Sequence, residues 1–203
     1  MIVKLYTYHM SPPVRACMMV CDIFNVPFEK IPVDLQAGEH LTPEFLKKNP
    51  IHQVPVMEDG DLILHDSHAI LPYLADTYGK DDSWYPNNIK KRALGQVVMT
   101  GKKTIEKELL DDALEGYSFL EAFLSRSKYI AADHVTIADI AILSVMTSLS
   151  QILPVDLHSK LFCIFRYPKT TVWLEHLKEM PYCKKYNEEG ANALAALVKS
   201  RVA

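Results

Sequence analysis

Cysteine is scarce in this chain. There are four in 203 residues, Cys17, Cys21, Cys163 and Cys183. They have no metal-site spacing and are too few for a dense disulfide framework. A reducing compartment, the cytoplasm, is therefore the expectation. Long apolar runs are missing too. No stretch approaches the roughly 20 residues of a membrane span, and MIVKLYTYHM at the start lacks the apolar core and small-residue cleavage site of a secretory leader. Nor does one sign of charge dominate. Lys and Arg number 22 and Asp and Glu 25, a net charge of -3, which gives no electrostatic footprint for nucleic acid or a membrane surface. Internal repeats and low-complexity tracts are absent. What remains is ordinary globular material, 49% hydrophobic and 23% charged, long enough for one large domain or two small ones.

The order of elements is informative. IVKLYTY (2–8) alternates and is rich in β-branched and aromatic residues, so it reads as a strand. Ser11 then stands at a helix N-cap before Pro12 and Pro13, which suit a first helical turn. Val14 to Phe24 is nearly all apolar, so that helix must be buried on most sides. Phe28 to Leu35 reads as a second strand, with Pro32 pointing to a sheet edge. Leu41 to Lys48 reads as a short helix. Val54–Glu58 and Leu62–His65 flank an Asp59-Gly60 hairpin turn, and Asp66-Ser67 cap a helix to Tyr78. This predicts an α/β unit over 1–78, a polar, turn-rich linker over 79–86, and an all-α unit over 87–203. Helices are expected near 87–103, 104–126, 136–152, 168–179 and 188–200. Thr136 to Asp139 has the form of a capping box, with Val135 and Ile140 as its hydrophobic staple.

Three places can carry chemistry. A helix N-terminus bears partial positive charge and free N–H groups. A hydroxyl at Ser11 could hold a thiolate there, and lowering a thiol pKa by about two units takes roughly 2.7 kcal/mol. A redox enzyme of this shape would carry Cys at position 11 and usually another at 14. Ser11 and Val14 exclude dithiol exchange and favour activation of a bound thiol. At the second place, a cis Pro55 would expose the backbone of Val54 for strand-like pairing with a peptide-like ligand. The third is Asp66-Ser67-His68, where a helix start makes a carboxylate site. Each position also reads, by itself, as plain capping or a turn proline. His40 and His52 lie in loops, and no histidine pair has metal spacing.

In sequence order these strings closely resemble one family. LYTYHMSPPVRA, GEH, NPIHQVPVMEDGDLILHDSHAI, the linker YGKDDSWYP, YIAADHVTIADIAI and WLEHLKEMPYCKKYNEEGANAL are similar to insect delta- and epsilon-class cytosolic glutathione transferases. The SPPVRA form leans toward epsilon. The resemblance implies a thioredoxin-like α/β N-terminal domain and an all-α C-terminal domain. It implies glutathione as co-substrate, no metal, a homodimer, and no nucleic-acid or membrane partner. Ser11 would stabilise the thiolate, and Val54 beside cis Pro55 would bond the cysteinyl backbone. His52 and His40 would line the cysteinyl–glycyl end, while Asp66 and Ser67 would hold the γ-glutamyl amine and carboxylate. His68 stands where many relatives carry Arg. It keeps a donor but loses permanent charge and bidentate geometry, so weaker and more pH-sensitive binding is expected. The implied activity is conjugation of glutathione to hydrophobic electrophiles in detoxification, including insecticide resistance, with dehydrochlorination and peroxide reduction open to the same site. The alternative is a weakly active or non-catalytic carrier of hydrophobic ligands, steroids among them, that keeps glutathione binding.

Two departures stand out. Asn87 to Leu124 is some 15 to 20 residues short of the two long helices usual in the resembled family, a region that there supplies part of the electrophile pocket and of the dimer surface, so a more open pocket is expected. Pro72 falls inside the helix begun by Ser67, where it removes a backbone bond to His68 and should bend the helix. The pocket residues that remain are Met10, Pro13, Leu35, Met99 and Phe119. Met99 and Phe119 also read as helix core. Cys17 and Cys21, one turn apart on the buried helix, read as packing residues.

Overall fold

The computed structural model describes residues 2–90, 92–93, 109–152 and 166–202. Its sheet has four strands in the order β2-β1-β3-β4, with β1 Val3–Thr7, β2 Phe28–Pro32, β3 Val56–Asp59 and β4 Leu62–His65. β1 and β2 run parallel, Leu5 facing Lys30, while β1/β3 and β3/β4 are antiparallel. β2 is an edge strand, which accommodates the missing N–H of Pro32. It is shorter than the sequence suggests. The Val33 N–H still donates to the Thr7 carbonyl, but Asp34 Oδ1 then accepts from Gln36 N and Ala37 N and turns the chain.

Alternation along β1 and β3 sorts their side chains between two cores. Val3, Leu5 and Met57 enter the main core. Val56 and Tyr6 face a smaller one with Val33 and Phe45, where the Tyr6 and Phe45 rings meet edge-on at 6.1 Å. Helix α1 (Pro12–Ile23) is buried at every position from Val14 to Cys21. It lies between α3 (Ser67–Tyr78) on one side and α5 (Ile137–Ile152), α7 (Pro181–Tyr186) and α8 (Glu188–Val202) on the other. A helix enclosed in this way needs apolar residues all round. The remaining helices are α2 (Pro43–Lys48), α4 (Leu109–Leu124) and α6 (Pro168–Lys178).

Two differences from the sequence reading have local causes. The residues before α2 form a separate 3₁₀ turn, Glu39–Leu41, because Thr42 starts a new helix with its hydroxyl accepting from Phe45 N and Pro43 at the first position. α7 was not anticipated. Six residues between Met180 and Asn187 are too short to display a helical period. α3 runs unbroken through Pro72. The expected helix over 87–103 and the shortening after the linker lie mostly outside the described residues.

The linker is docked rather than loose. Asp81 and Asp82 anchor its turns on Ser83 N and Asn87 N, Trp84 packs edge-on to Phe24, and the Trp84 carbonyl accepts from Ile137 N. At α5 the buried Asp139 carboxylate accepts from Thr136 N, Thr136 Oγ1, Ile130 N and Trp173 Nε1, all within 2.8–3.0 Å. The box is therefore one-sided. Thr136 donates its hydroxyl to Asp139 instead of accepting from the helix.

Candidate functional site

Ser11 closes β1 into α1 from an extended conformation, φ -74 and ψ 116. A serine there normally accepts from the second or third helical N–H. Here the first two helical residues are prolines and the side chain makes no cap bond. Among the described residues its hydroxyl has no partner, while its carbonyl accepts from Arg15 N at 3.1 Å and its N–H donates to the Tyr8 carbonyl at 2.9 Å. The prolines also remove two of the N–H groups that a helix start usually offers. Any anion placed here would depend more on the hydroxyl than on the helix end.

The Val54–Pro55 bond is cis. Val54 lies just before β3, and neither its N–H nor its C=O is paired among the described residues. Behind it the His40 and His52 rings sit 6.2 Å apart. His52 adopts φ +49, uncommon for a residue with a side chain. His40 Nδ1 is buried and finds no protein partner. An orphaned buried polar atom of this kind calls for an explanation, and a bound ligand supplies one.

At the start of α3, Asp66 takes φ +73 and its Oδ1 accepts from His68 N at 3.0 Å. The same oxygen lies 2.7 Å from His68 Nδ1, so the imidazole turns back onto the cap. The Asp66 carbonyl receives Ala69 N and Ile70 N. Of the donors at this helix start, the N–H and hydroxyl of Ser67 remain unused, on a residue only 6% exposed. Two free donors at a helix start are groups to which an anion could bind.

The expected pocket residues have unequal standing. Pro13 and Met10 are half-buried beside Ser11, with Met10 Sδ 4.0 Å from Tyr8 Oη. Leu35 packs on the smaller core with Val54 and Phe45. Phe119 is 57% exposed, so the core reading of that residue is overturned, and over the described side chains of α4 the buried ones are Tyr117, Leu120 and Leu124. Met99 lies outside the described residues. Cys17 and Cys21 are fully buried, and burial holds both thiols up, Cys21 at about 12, which leaves them as packing groups. Among the described residues no cluster of three or more His, Cys, Asp or Glu could hold a metal ion.

Sequence reasoning missed Arg15. It stands in the most apolar helix of the chain and is 0% exposed. Its Nη1 donates to Asn187 O and Asn187 Oδ1, both at 2.9 Å, and its Nη2 to Ser144 O and Ser148 Oγ. Desolvation pulls its pKa down to about 10, so it remains a cation at neutral pH. The signal was a lone Arg in an apolar run, but nothing in the sequence named its partners 129 to 172 residues away.

Residues 1–76 match the family model "Glutathione S-transferase, N-terminal domain", and residues 93–190 match "Glutathione S-transferase, C-terminal domain". Glutathione S-transferase 1 of Manduca sexta is 36% identical, with all of both chains covered. That alignment runs over 224 positions, of which about 21 fall opposite gaps in the 203 residues here. An epsilon-class glutathione S-transferase from the housefly Musca domestica is 38% identical with a TM-score of 0.86, covering 98% of this chain and 97% of that one. A glutathione transferase homologue from Drosophila mojavensis with bound glutathione is 37% identical with a TM-score of 0.87 and the same coverage. The chain belongs to the glutathione S-transferase family, with a thioredoxin-like α/β domain followed by a helical domain. It is an enzyme of that family, among epsilon- and delta-class insect neighbours.

Proposed function

We propose that this glutathione transferase conjugates the glutathione thiolate to hydrophobic electrophiles, with Ser11 holding the sulfur. The observation that carries the reading is the Ser11 hydroxyl, which has no capping bond at the helix start where a serine ordinarily caps. Val54 offers an unpaired N–H and C=O to the cysteinyl backbone, and Ser67 an unused N–H and hydroxyl to the γ-glutamyl carboxylate. Asp66 takes the γ-glutamyl amine, and His68 stands beside it as a donor. His40, whose buried Nδ1 lacks a protein partner, and His52 take the glycyl end. Met10, Pro13, Leu35, Met99 and Phe119 are the residues assigned to the electrophile side. Rate comes from the lowered thiol pKa and from the proximity of two bound substrates. Xenobiotics, insecticides included, are the intended electrophiles, and dehydrochlorination and peroxide reduction need no further protein group.

The same proposal divides the chain into a glutathione-binding unit (1–78), a linker (79–86) and a helical unit (87–203), paired as a cytoplasmic homodimer. No described helix is long and apolar enough to cross a membrane. Conjugation of a generic aromatic halide, measured for wild type and Ser11→Ala together with glutathione affinity, tests the reading. Ser11→Ala should bind glutathione and lose most of the rate. Full rate in Ser11→Ala refutes the thiolate assignment. Wild type that binds glutathione without turnover makes the protein a carrier. Sedimentation at twice the 23.1 kDa chain mass tests the dimer.

A further inference from the structure

Arg15 is a full charge in the interior with neutral partners only. Two main-chain carbonyls, one amide oxygen and one hydroxyl receive its Nη donors, its buried Nε finds no partner, and no carboxylate touches it. The acidic groups on the elements packed around α1 are engaged elsewhere or exposed. Asp139 on α5 spends its carboxylate on four donors, and Asp66 at α3 accepts from His68. Asp22 pairs with Lys185, and Glu188 at the start of α8 is exposed. The Cys183 thiol on α7 is kept neutral by burial, and His9 in the preceding loop is exposed. A buried cation without a counter-ion stabilises whatever anion binds within its reach.

The fold puts Ser11 within that reach. Ser11 and Arg15 share the first hydrogen bond of α1, four residues apart, roughly 6 Å of helix rise. The helical domain fixes both ends of this spacing. A Cβ on Gly190 of α8 would come within 2.1 Å of the His9 carbonyl and 2.7 Å of Arg15 Cδ. The α8 backbone is therefore pressed against the loop that presents Ser11 and against the stem of Arg15. Asn187, just before α8, holds the guanidinium.

We propose that Arg15 is a positioning residue whose uncompensated buried charge, held by Asn187 of the helical domain, lowers the pKa of the glutathione thiol bound at Ser11. This rests on the reading that the sulfur lies at the start of α1. Unit charges on the order of 10 Å apart at an effective dielectric constant of about 20 give a shift of about one pK unit. The acidity of the bound thiol then depends on the contact between the two domains.

The test exploits the neutral partner. Asn187→Asp keeps the shape and the acceptor at Oδ1 but supplies the missing counter-charge. The pKa of the bound thiol is read from the ultraviolet absorbance of the enzyme–glutathione complex against pH, and from the pH profile of kcat/KM. Asn187→Asp trades the Nδ2–H bond to Thr147 Oγ1 for a charge pair with Arg15; it should fold and raise that pKa by about one unit. The rate would fall roughly fivefold at the wild type's own pKa and recover in alkali. Arg15→Met should raise the pKa similarly, and Arg15→Lys, which keeps the charge, should restore most of the shift. A folded Asn187→Asp with unchanged thiol pKa overturns the proposal, even if Arg15→Met does not fold. Ser11→Ala separates the two readings. A pKa raised by Ser11→Ala but not by Asn187→Asp sinks the role of Arg15 alone. A pKa raised by Asn187→Asp but not by Ser11→Ala sinks the role of Ser11 alone.

Discussion

Replacing Ser11 by Ala should separate function from stability cleanly. An N-cap serine ordinarily contributes about 1 kcal/mol to its helix. Here Pro12 and Pro13 occupy the first two helical positions and the Ser11 side chain makes no cap bond. Its loss should thus move the unfolding free energy by less than about 0.5 kcal/mol. The thiolate would lose much more. A hydrogen bond to a charged acceptor contributes about 1.5–3 kcal/mol, or about one to two pK units of thiol acidity. Rate at pH 6.5 should fall by roughly 5- to 50-fold, and the deficit should shrink as the pH rises past the new thiol pKa. The assay pairs urea denaturation with the pH profile of aromatic halide conjugation. A variant destabilised by about 1 kcal/mol with its pH profile unchanged would return Ser11 to an ordinary cap.

Other perturbations probe the rest of the structure. His68→Arg, which restores a bidentate guanidinium at this position, should tighten the calorimetric affinity for an S-alkylated glutathione; an unchanged affinity refutes the reading of His68. Asp139→Ala leaves the N–H groups of Ile130, Thr136 and Trp173 unanswered. It should cost about 3–5 kcal/mol, a fall in Tm on the order of 10 °C, and a drop of a degree or two would refute that accounting. Glu58, whose carboxyl is held below its usual range first by Lys48 and also by Tyr6, contributes stability above the unfolded carboxylate pKa that fades as pH falls through the folded one. Glu58→Gln should therefore cost up to about 1 kcal/mol at pH 7 and nothing near pH 3, checked by denaturation at both.

Much of the fold could be read along the chain because its signals are local. Alternation in β1, the Asp59-Gly60 turn and the Asp66 cap each involve residues within a few positions of one another, and the edge position of β2 follows from one missing N–H at Pro32. The six-residue α7 escaped because a helix of under two turns carries no period. The same division runs through the site. Ser11 before two prolines, without cysteine at 11 or 14, marks thiol activation over dithiol exchange, and that is a matter of side-chain chemistry alone. Only the tertiary structure decided that the Ser11 hydroxyl leaves the helix uncapped, that His40 Nδ1 is buried without a protein partner, and that Phe119 faces solvent. It also turned Arg15 from an oddity in an apolar helix into a buried cation. The reason is range. Asn187 and Ser144 reach Arg15 across 172 and 129 residues, and a charge takes its meaning from what surrounds it in space.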